Sequence, residues 1–202
     1  MSNNILPFEY VENRKQNGLK FYLEKLSLKN FRNHVELDLH VNALPVLIYG
    51  DNGSGKSTLI RIILGITNQT RGDVENNLSK GIAYLGHKNA VKNYLTLEDN
   101  LILMELKGHK DLKRYLEILN LKKYSDVIVA NLSFGQQKKL ALLRIFLNNS
   151  ELIVLDEPFV GLDKQTQKIL SEFLNNELDK KKSIIYTSHI PCKIESKVLN
   201  II

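Results

Sequence analysis

The chain has 202 residues, 43% hydrophobic and 25% charged, with a net charge of +6 and one cysteine. That composition supports one substantial core, or a core plus a small subdomain, and excludes an internal disulfide; no apolar run approaches the ~20 residues that cross a bilayer. Its lysine clusters, Lys122-Lys123, Lys138-Lys139 and Lys180-Lys181-Lys182, are short, scattered and free of interleaved aromatics. They read as solvated helix faces, and no nucleic-acid partner is expected from them.

Residues 1–20 are polar, with no signal-peptide apolar core, and are expected to form a loosely ordered extension. Segments 23–28 and 35–41 alternate apolar and polar residues, which predicts two half-exposed antiparallel strands. Val46-Leu47-Ile48-Tyr49 is a short apolar run, as in a strand buried on both faces. Directly after it comes Gly50-Asp51-Asn52-Gly53-Ser54-Gly55-Lys56-Ser57, the spacing G-x-x-x-x-G-K-S. Leu59, Ile62, Ile63 and Ile66 then mark one face of a helix. Strand, glycine loop and helix make a phosphate cradle, with backbone N–H groups turned inward and the positive end of the helix behind them. Lys56 is placed to reach the β- and γ-phosphates and Ser57 to hold Mg²⁺, and Thr58 belongs to the same nucleotide-binding set.

Ile82–Leu85, Leu152–Leu155 and Ser183–Thr187 are further apolar runs, each set between helical stretches. The alternation predicts an α/β fold with a mostly parallel sheet. The region 93–149 reads as a helical insertion: Thr96 caps a helix ending near Gly108, and Asp111 opens another carrying Leu112, Tyr115, Leu116 and Leu119. In Leu132-Ser133-Phe134-Gly135-Gln136-Gln137, Ser133 and Gln136 form a capping box at the start of a further helix. Gly135 leaves that helix start uncovered, so it is also a second anion site, suited to a γ-phosphate presented by another copy of the chain. Asp156 and Glu157 follow the third core run, at the strand end where open α/β sheets bind ligands. Asp156 suits Mg²⁺, directly or through water, and Glu157 suits polarising a water for in-line attack on the γ-phosphate. Cys192 reads as packing, in keeping with a reducing cytoplasm.

These motifs, followed by Gly161-Leu162-Asp163 and Thr187-Ser188-His189, stand in the order of an ABC-type ATPase, which the chain resembles over about 23–202. The resemblance implies a P-loop fold with a mostly parallel core sheet, a small antiparallel β layer and a helical subdomain. It also implies a head-to-tail dimer closing on two ATP molecules with Mg²⁺. Lys56, Ser57, Asp156 and Glu157 of one subunit would face Ser133, Gly135 and Gln136 of the other. His189 matches the histidine that contacts the γ-phosphate, and Asp163 the loop aspartate that couples the two sites. The implied partners are multi-span permease subunits, reached from the cytoplasmic face of the inner membrane.

Two positions depart from the family pattern: His87 stands where a metal-sensing glutamine is usual, and Phe134 replaces a signature glycine. No aromatic is clearly marked to stack on adenine; Phe31 is a candidate for that or, better, for the core. Tyr84-Leu85-Gly86-His87, Lys92, Leu95-Thr96 with Asp99-Asn100-Leu101, and the lysines after Gln137 look like the ATP-binding subunits of cytochrome c maturation haem exporters. A second resemblance, of Leu28-Lys29-Asn30-Phe31-Arg32-Asn33-His34 to the opening strand of RecF/SMC-type DNA-maintenance ATPases, competes with it. Only 77 positions (133 − 56) separate Lys56 from Ser133, too few for the coiled coil or lobe those proteins insert.

Overall fold

The computed structural model describes residues 44–51, 53–68, 81–189 and 194–201, and the backbone of 25–31 and 34–40. The extension 1–20, Asn52, Cys192 and the Phe31 side chain lie outside the described residues. Strands β1 (Lys25–Phe31) and β2 (His34–His40) pair antiparallel, with Leu26 opposite Leu39 and Leu28 opposite Leu37. Their bounds are displaced by one to three residues from the alternating segments, because pairing rather than hydropathy sets strand ends.

The central sheet has five parallel strands in the order β4-β5-β6-β3-β7. Four of them, β3 (Val46–Tyr49), β4 (Ile82–Leu85), β5 (Leu152–Leu155) and β6 (Ser183–Thr187), coincide with the apolar runs. The fifth, β7 (Lys197–Asn200), was not expected. It lies at the edge beside β3 and buries only Leu199 of its four side chains, so it has no apolar run to betray it.

Period-two alternation sends successive strand residues to opposite faces, and here both faces are covered. Val46, Ile48, Leu152, Val154 and Ile185 pack with Leu59, Ile60 and Ile63 of α1 (Lys56–Ile63). Leu85, Ile153, Leu155, Ile184 and Tyr186 pack on the other face with α4 (Phe134–Phe146) and α5 (Lys164–Asp179), through Leu140, Leu143, Leu170 and Leu174. Tyr115 of α3 (Leu112–Ile118) stacks on Phe146 at 4.9 Å, and Phe146 meets Phe173 edge-on at 4.8 Å, which joins α3, α4 and α5. Among the described residues no helix is long and apolar enough to cross a membrane.

Helix α2 (Leu97–Leu103) opens on the Thr96–Asp99 capping box, but it stops well short of Gly108. Glu105 turns left-handed at φ 57°, its N–H bonds to Ile102, and Leu106 N–H reaches back to Leu101. Gly65 ends α1, Asn120 ends α3 and Lys181 ends α5 with the same pair of bonds. Closure at Gly65 leaves Ile66 outside the helix and exposed, so Ile60 takes its place on the buried stripe. Asp111 precedes α3 as expected, but its side chain makes no capping bond.

The 180–182 lysines are not a solvated run either. Glu177 is only 3% exposed, and its carboxylate pairs with Lys180 and with the buried Lys182. Glu177→Ala would strand the Lys182 ammonium without its counter-ion. Removing one partner of a buried pair costs about 3–5 kcal/mol, which urea unfolding would register directly. A loss under about 0.5 kcal/mol, the range of ordinary surface changes, would mean that Lys182 escapes to water.

Candidate functional site

Four neighbouring parallel strands deliver their carboxyl ends to one edge of the sheet: His87 after β4, Asp156 and Glu157 after β5, Ser188 and His189 after β6, and the glycine loop after β3. Gly55 sits at φ 102° at the N-cap of α1, a left-handed conformation that a side chain would strain. Among the described residues no side chain caps this helix, so its first-turn N–H groups are left for a ligand. Ser54 Oγ is buried and has no hydrogen-bond partner among the described residues. Lys56, 8% exposed, folds over the loop and donates to the carbonyls of Gly50 (2.6 Å) and Asp51 (3.0 Å). Gly53 lies at the loop's exposed crest, and Ser57 and Thr58 are exposed in the first turn of α1.

A chain of hydroxyl–carboxylate bonds joins this loop to β5 and β6. Ser57 Oγ donates to Asp156 Oδ2 at 2.9 Å, and Thr187 Oγ1 donates to Asp156 Oδ1 at 2.7 Å. Glu157 N–H in turn donates to Thr187 Oγ1 at 2.8 Å. Asp156 is 3% exposed, and these oxygen donors form a hard set of the kind Mg²⁺ accepts. Glu157 takes φ 50°, a left-handed backbone in a residue with a full side chain. That turn carries its carboxylate away from Asp156 to the His189 N–H (3.3 Å) and to His189 Nδ1 (3.0 Å).

The same place holds a cation that sequence reasoning put in solvent. Lys138 is 1% exposed, and its Nζ donates to the Glu157 carbonyl oxygen at 3.2 Å. Burial lowers its pKa, and the charges of Asp156 and Glu157 work against that shift. A signal was present: Lys138, Ala141, Leu142 and Ile145 fall at i, i+3, i+4 and i+7, the buried stripe of α4. Thr187 was likewise missed as a working side chain, although a hydroxyl residue closing a wholly buried strand marks it.

Ser133, Gly135 and Gln136 form a separate cluster with Asp163. The capping box is closed in both directions, from Ser133 N–H to Gln136 Oε1 (2.8 Å) and from Gln136 N–H to Ser133 Oγ (3.3 Å). A Cβ on Gly135 would come within 2.7 Å of the Gly161 carbonyl oxygen, so the first turn of α4 rests directly on the 161–163 turn. The Phe134 ring lies against Gly161 and stays half exposed. Lys139 pairs with Asp163 at 2.7 Å, again not a solvated lysine, and Asp163 caps α5 through Thr166 N–H at 2.8 Å. Among the described residues no hydrogen bond ties 133–136 to the glycine loop. His87 is exposed, and the described residues hold no group of three or more His, Cys, Asp or Glu able to bind a metal.

Lys139 and the Thr166 N–H hold the Asp163 carboxyl down from 3.8 to about 2. A carboxylate whose pKa falls on folding adds stability that is complete above its unfolded value and is lost as pH drops through the folded one. Acid unfolding between pH 3.8 and about 2 should therefore carry a contribution from this pair. Lys139→Met should make stability less dependent on pH across that window, as unfolding midpoints at a series of pH values would record.

A family model described as ABC transporter matches residues 32–160. The cytochrome c biogenesis ATP-binding export protein CcmA of Gluconobacter oxydans is 37% identical over 152 residues, covering 75% of this chain and 71% of that protein. Among solved structures, an ATP-binding subunit of an ABC transporter matches with a TM-score of 0.70 and 26% identity, over 84% of this chain and 79% of that one. A dimeric ATP-binding cassette in a post-hydrolysis state with ADP and Pi has the same fold, with a TM-score of 0.63 at 23% identity over 84% and 87% of the two chains. The matches favour the transporter resemblance over the DNA-maintenance one. The chain belongs to the ABC transporter family, as an ATP-binding subunit that hydrolyses ATP.

Proposed function

We propose that this chain works as one of two ATP-binding subunits on the cytoplasmic face of a multi-span permease, driving haem export for cytochrome c biogenesis. The export protein at 37% identity supports cytochrome c biogenesis, and the sequence resemblance to haem exporters supports the cargo. In this reading residues 21–202 form one ATPase domain that carries a helical subdomain at about 93–149, and the subunit is a homodimer attached peripherally to the inner membrane.

The observation that carries the chemistry is the division between adjacent carboxylates. Asp156 is tied back to Ser57 and Thr187, while Glu157 is turned the other way onto His189. ATP would occupy the cradle at Gly50, Asp51, Asn52, Gly53, Ser54, Gly55, Lys56, Ser57 and Thr58, with Lys56 leaving the loop carbonyls to neutralise β- and γ-phosphate oxygens. Ser57 and Asp156 would hold Mg²⁺, which supplies charge neutralisation across those phosphates. His87, exposed and unbonded to Asp156, has the least support as a ligand. Glu157 accepts the proton of a water whose oxygen attacks the γ-phosphorus in line as the bond to ADP breaks. His189, held on Glu157 Oε2, steadies that carboxylate and reaches the γ-phosphate.

The second cluster supports a shared site. Ser133, Gly135 and Gln136 offer a helix start with no nucleotide of its own in this chain, and a solved cassette of the same fold is a dimer with ADP and Pi. Asp163, joined to that helix through Lys139, would carry the state of one site to the other.

Two measurements test this. Asp156→Asn should weaken Mg-ATP binding, whereas Glu157→Gln should keep affinity, lose turnover and accumulate ATP-bound dimers; equal loss of affinity in both would sink the division of labour. Ser133→Arg should bind ATP yet be inactive, and mixing it with Glu157→Gln should restore part of the turnover, since one site of the hybrid regains both an intact glutamate and an intact signature. No recovery in hybrids shown to form, or full activity of Ser133→Arg alone, would overturn the shared site.

A further inference from the structure

Beneath the two carboxylates lies a buried cation that the hydrolysis described above does not use, Lys138. It lies on α4, the helix that Ser133 opens, five residues inside the chain from that cap. Its side chain is buried to 99%, and among the described residues its ammonium has a single hydrogen-bond acceptor, the main-chain carbonyl of Glu157. A buried ammonium with one neutral acceptor is costly, so packing alone does not account for it.

Its acceptor is the telling part. Glu157 holds a left-handed backbone at φ 50°, and such a conformation persists only where its surroundings over-determine it. Both backbone polar groups of Glu157 are in fact held: the N–H donates to Thr187 Oγ1, and the carbonyl accepts from Lys138 Nζ at 3.2 Å and, at a longer 3.4 Å, from Val160 N–H. Relaxing that peptide toward ordinary φ would swing the carboxylate off His189, with which it makes contacts of 3.0 and 3.3 Å.

We propose that Lys138 is a positioning residue for ATP hydrolysis, pinning the Glu157 main chain so that its carboxylate stays aimed at the attacking water. The inference rests on the reading of Glu157 as the water-activating base. It also gives the helix opened by Ser133 a direct mechanical hold on the glutamate of its own chain. A shift of that helix on meeting a neighbouring subunit's phosphate would then be felt at the second site.

The test uses the full chain and three variants, Lys138→Met, Lys138→Arg and Glu157→Gln, with kcat, KM for ATP, ATP affinity and Tm measured on each. Methionine keeps the unbranched shape of the side chain, one heavy atom shorter, but has no donor. Lys138→Met should fold with a Tm no lower than the parent, since it replaces a buried charge with an apolar group of similar volume. Its ATP affinity should stay within about twofold while kcat falls on the order of 10–100-fold, the cost of a misplaced catalytic group. Lys138→Arg, which keeps a donor, should recover part of that loss. A parental kcat in Lys138→Met beside an inactive Glu157→Gln would overturn the role of the lysine and leave the base in place. Lost folding, or affinity and kcat falling together, would make Lys138 structural and overturn it as well. Turnover in Glu157→Gln would remove the base assignment, and the inference with it.

Discussion

The site hangs on the buried carboxylate of Asp156. It emerges from β5 between two hydroxyls, Ser57 from the glycine loop and Thr187 from β6, and so ties together the ends of three strands that are far apart in the chain. A carboxyl group with 3% exposure is tolerated only where its oxygens are satisfied. Two hydroxyl bonds, of 2.9 and 2.7 Å, meet that demand, and they are aligned by strands whose pairing is set by apolar packing on both faces. The anchor is therefore also a position gauge: any slip of β6 against β5 would be felt at the carboxylate.

Adjacent residues take opposite roles because the backbone turns between them. Asp156 directly follows β5, and Glu157 is left-handed. That single dihedral change separates an oxygen suited to a cation from one suited to a proton, the way an environment can give two carboxylates two tasks. Thr187 serves both sides of the turn, since it donates to the Asp156 carboxylate and accepts from the Glu157 N–H.

The start of α4 and the 161–163 turn behave as one block. Gly135 is pressed onto the Gly161 carbonyl, the Phe134 ring lies on Gly161, and Lys139 clasps Asp163. Phenylalanine in place of the usual signature glycine is thus accommodated sideways, over a neighbouring turn, and leaves the helix start open. Because α4 also carries Lys138 beneath Glu157, this block is connected to the hydrolytic end of the sheet by direct contact rather than through the core.

Local patterns were legible where local physics decides. Four of the five core strands are continuous apolar runs, the Ser133–Gln136 and Thr96–Asp99 boxes are short-range hydrogen bonding, and the glycine loop is a backbone requirement written in residue types. The family resemblance rested on the order of whole motifs along the chain: the glycine loop, the Ser133–Gln136 signature, Asp156-Glu157, Gly161-Leu162-Asp163 and Thr187-Ser188-His189. Other features depended on contacts between distant segments. The end of α2 was misread because Glu105, rather than a glycine, takes the left-handed closing position, with the buried Leu106 directly after it. β7 exists because β3 offers it an edge, not because Lys197–Asn200 has a strand's pattern. Lys138, Lys139 and Lys182 look alike in sequence, and whether a lysine is solvated, paired or buried is settled by what packs over it. The chain by itself determined the elements and the chemistry they can hold. Only the tertiary structure decided which charges lost their water, because desolvation is a property of the neighbours and not of the residue.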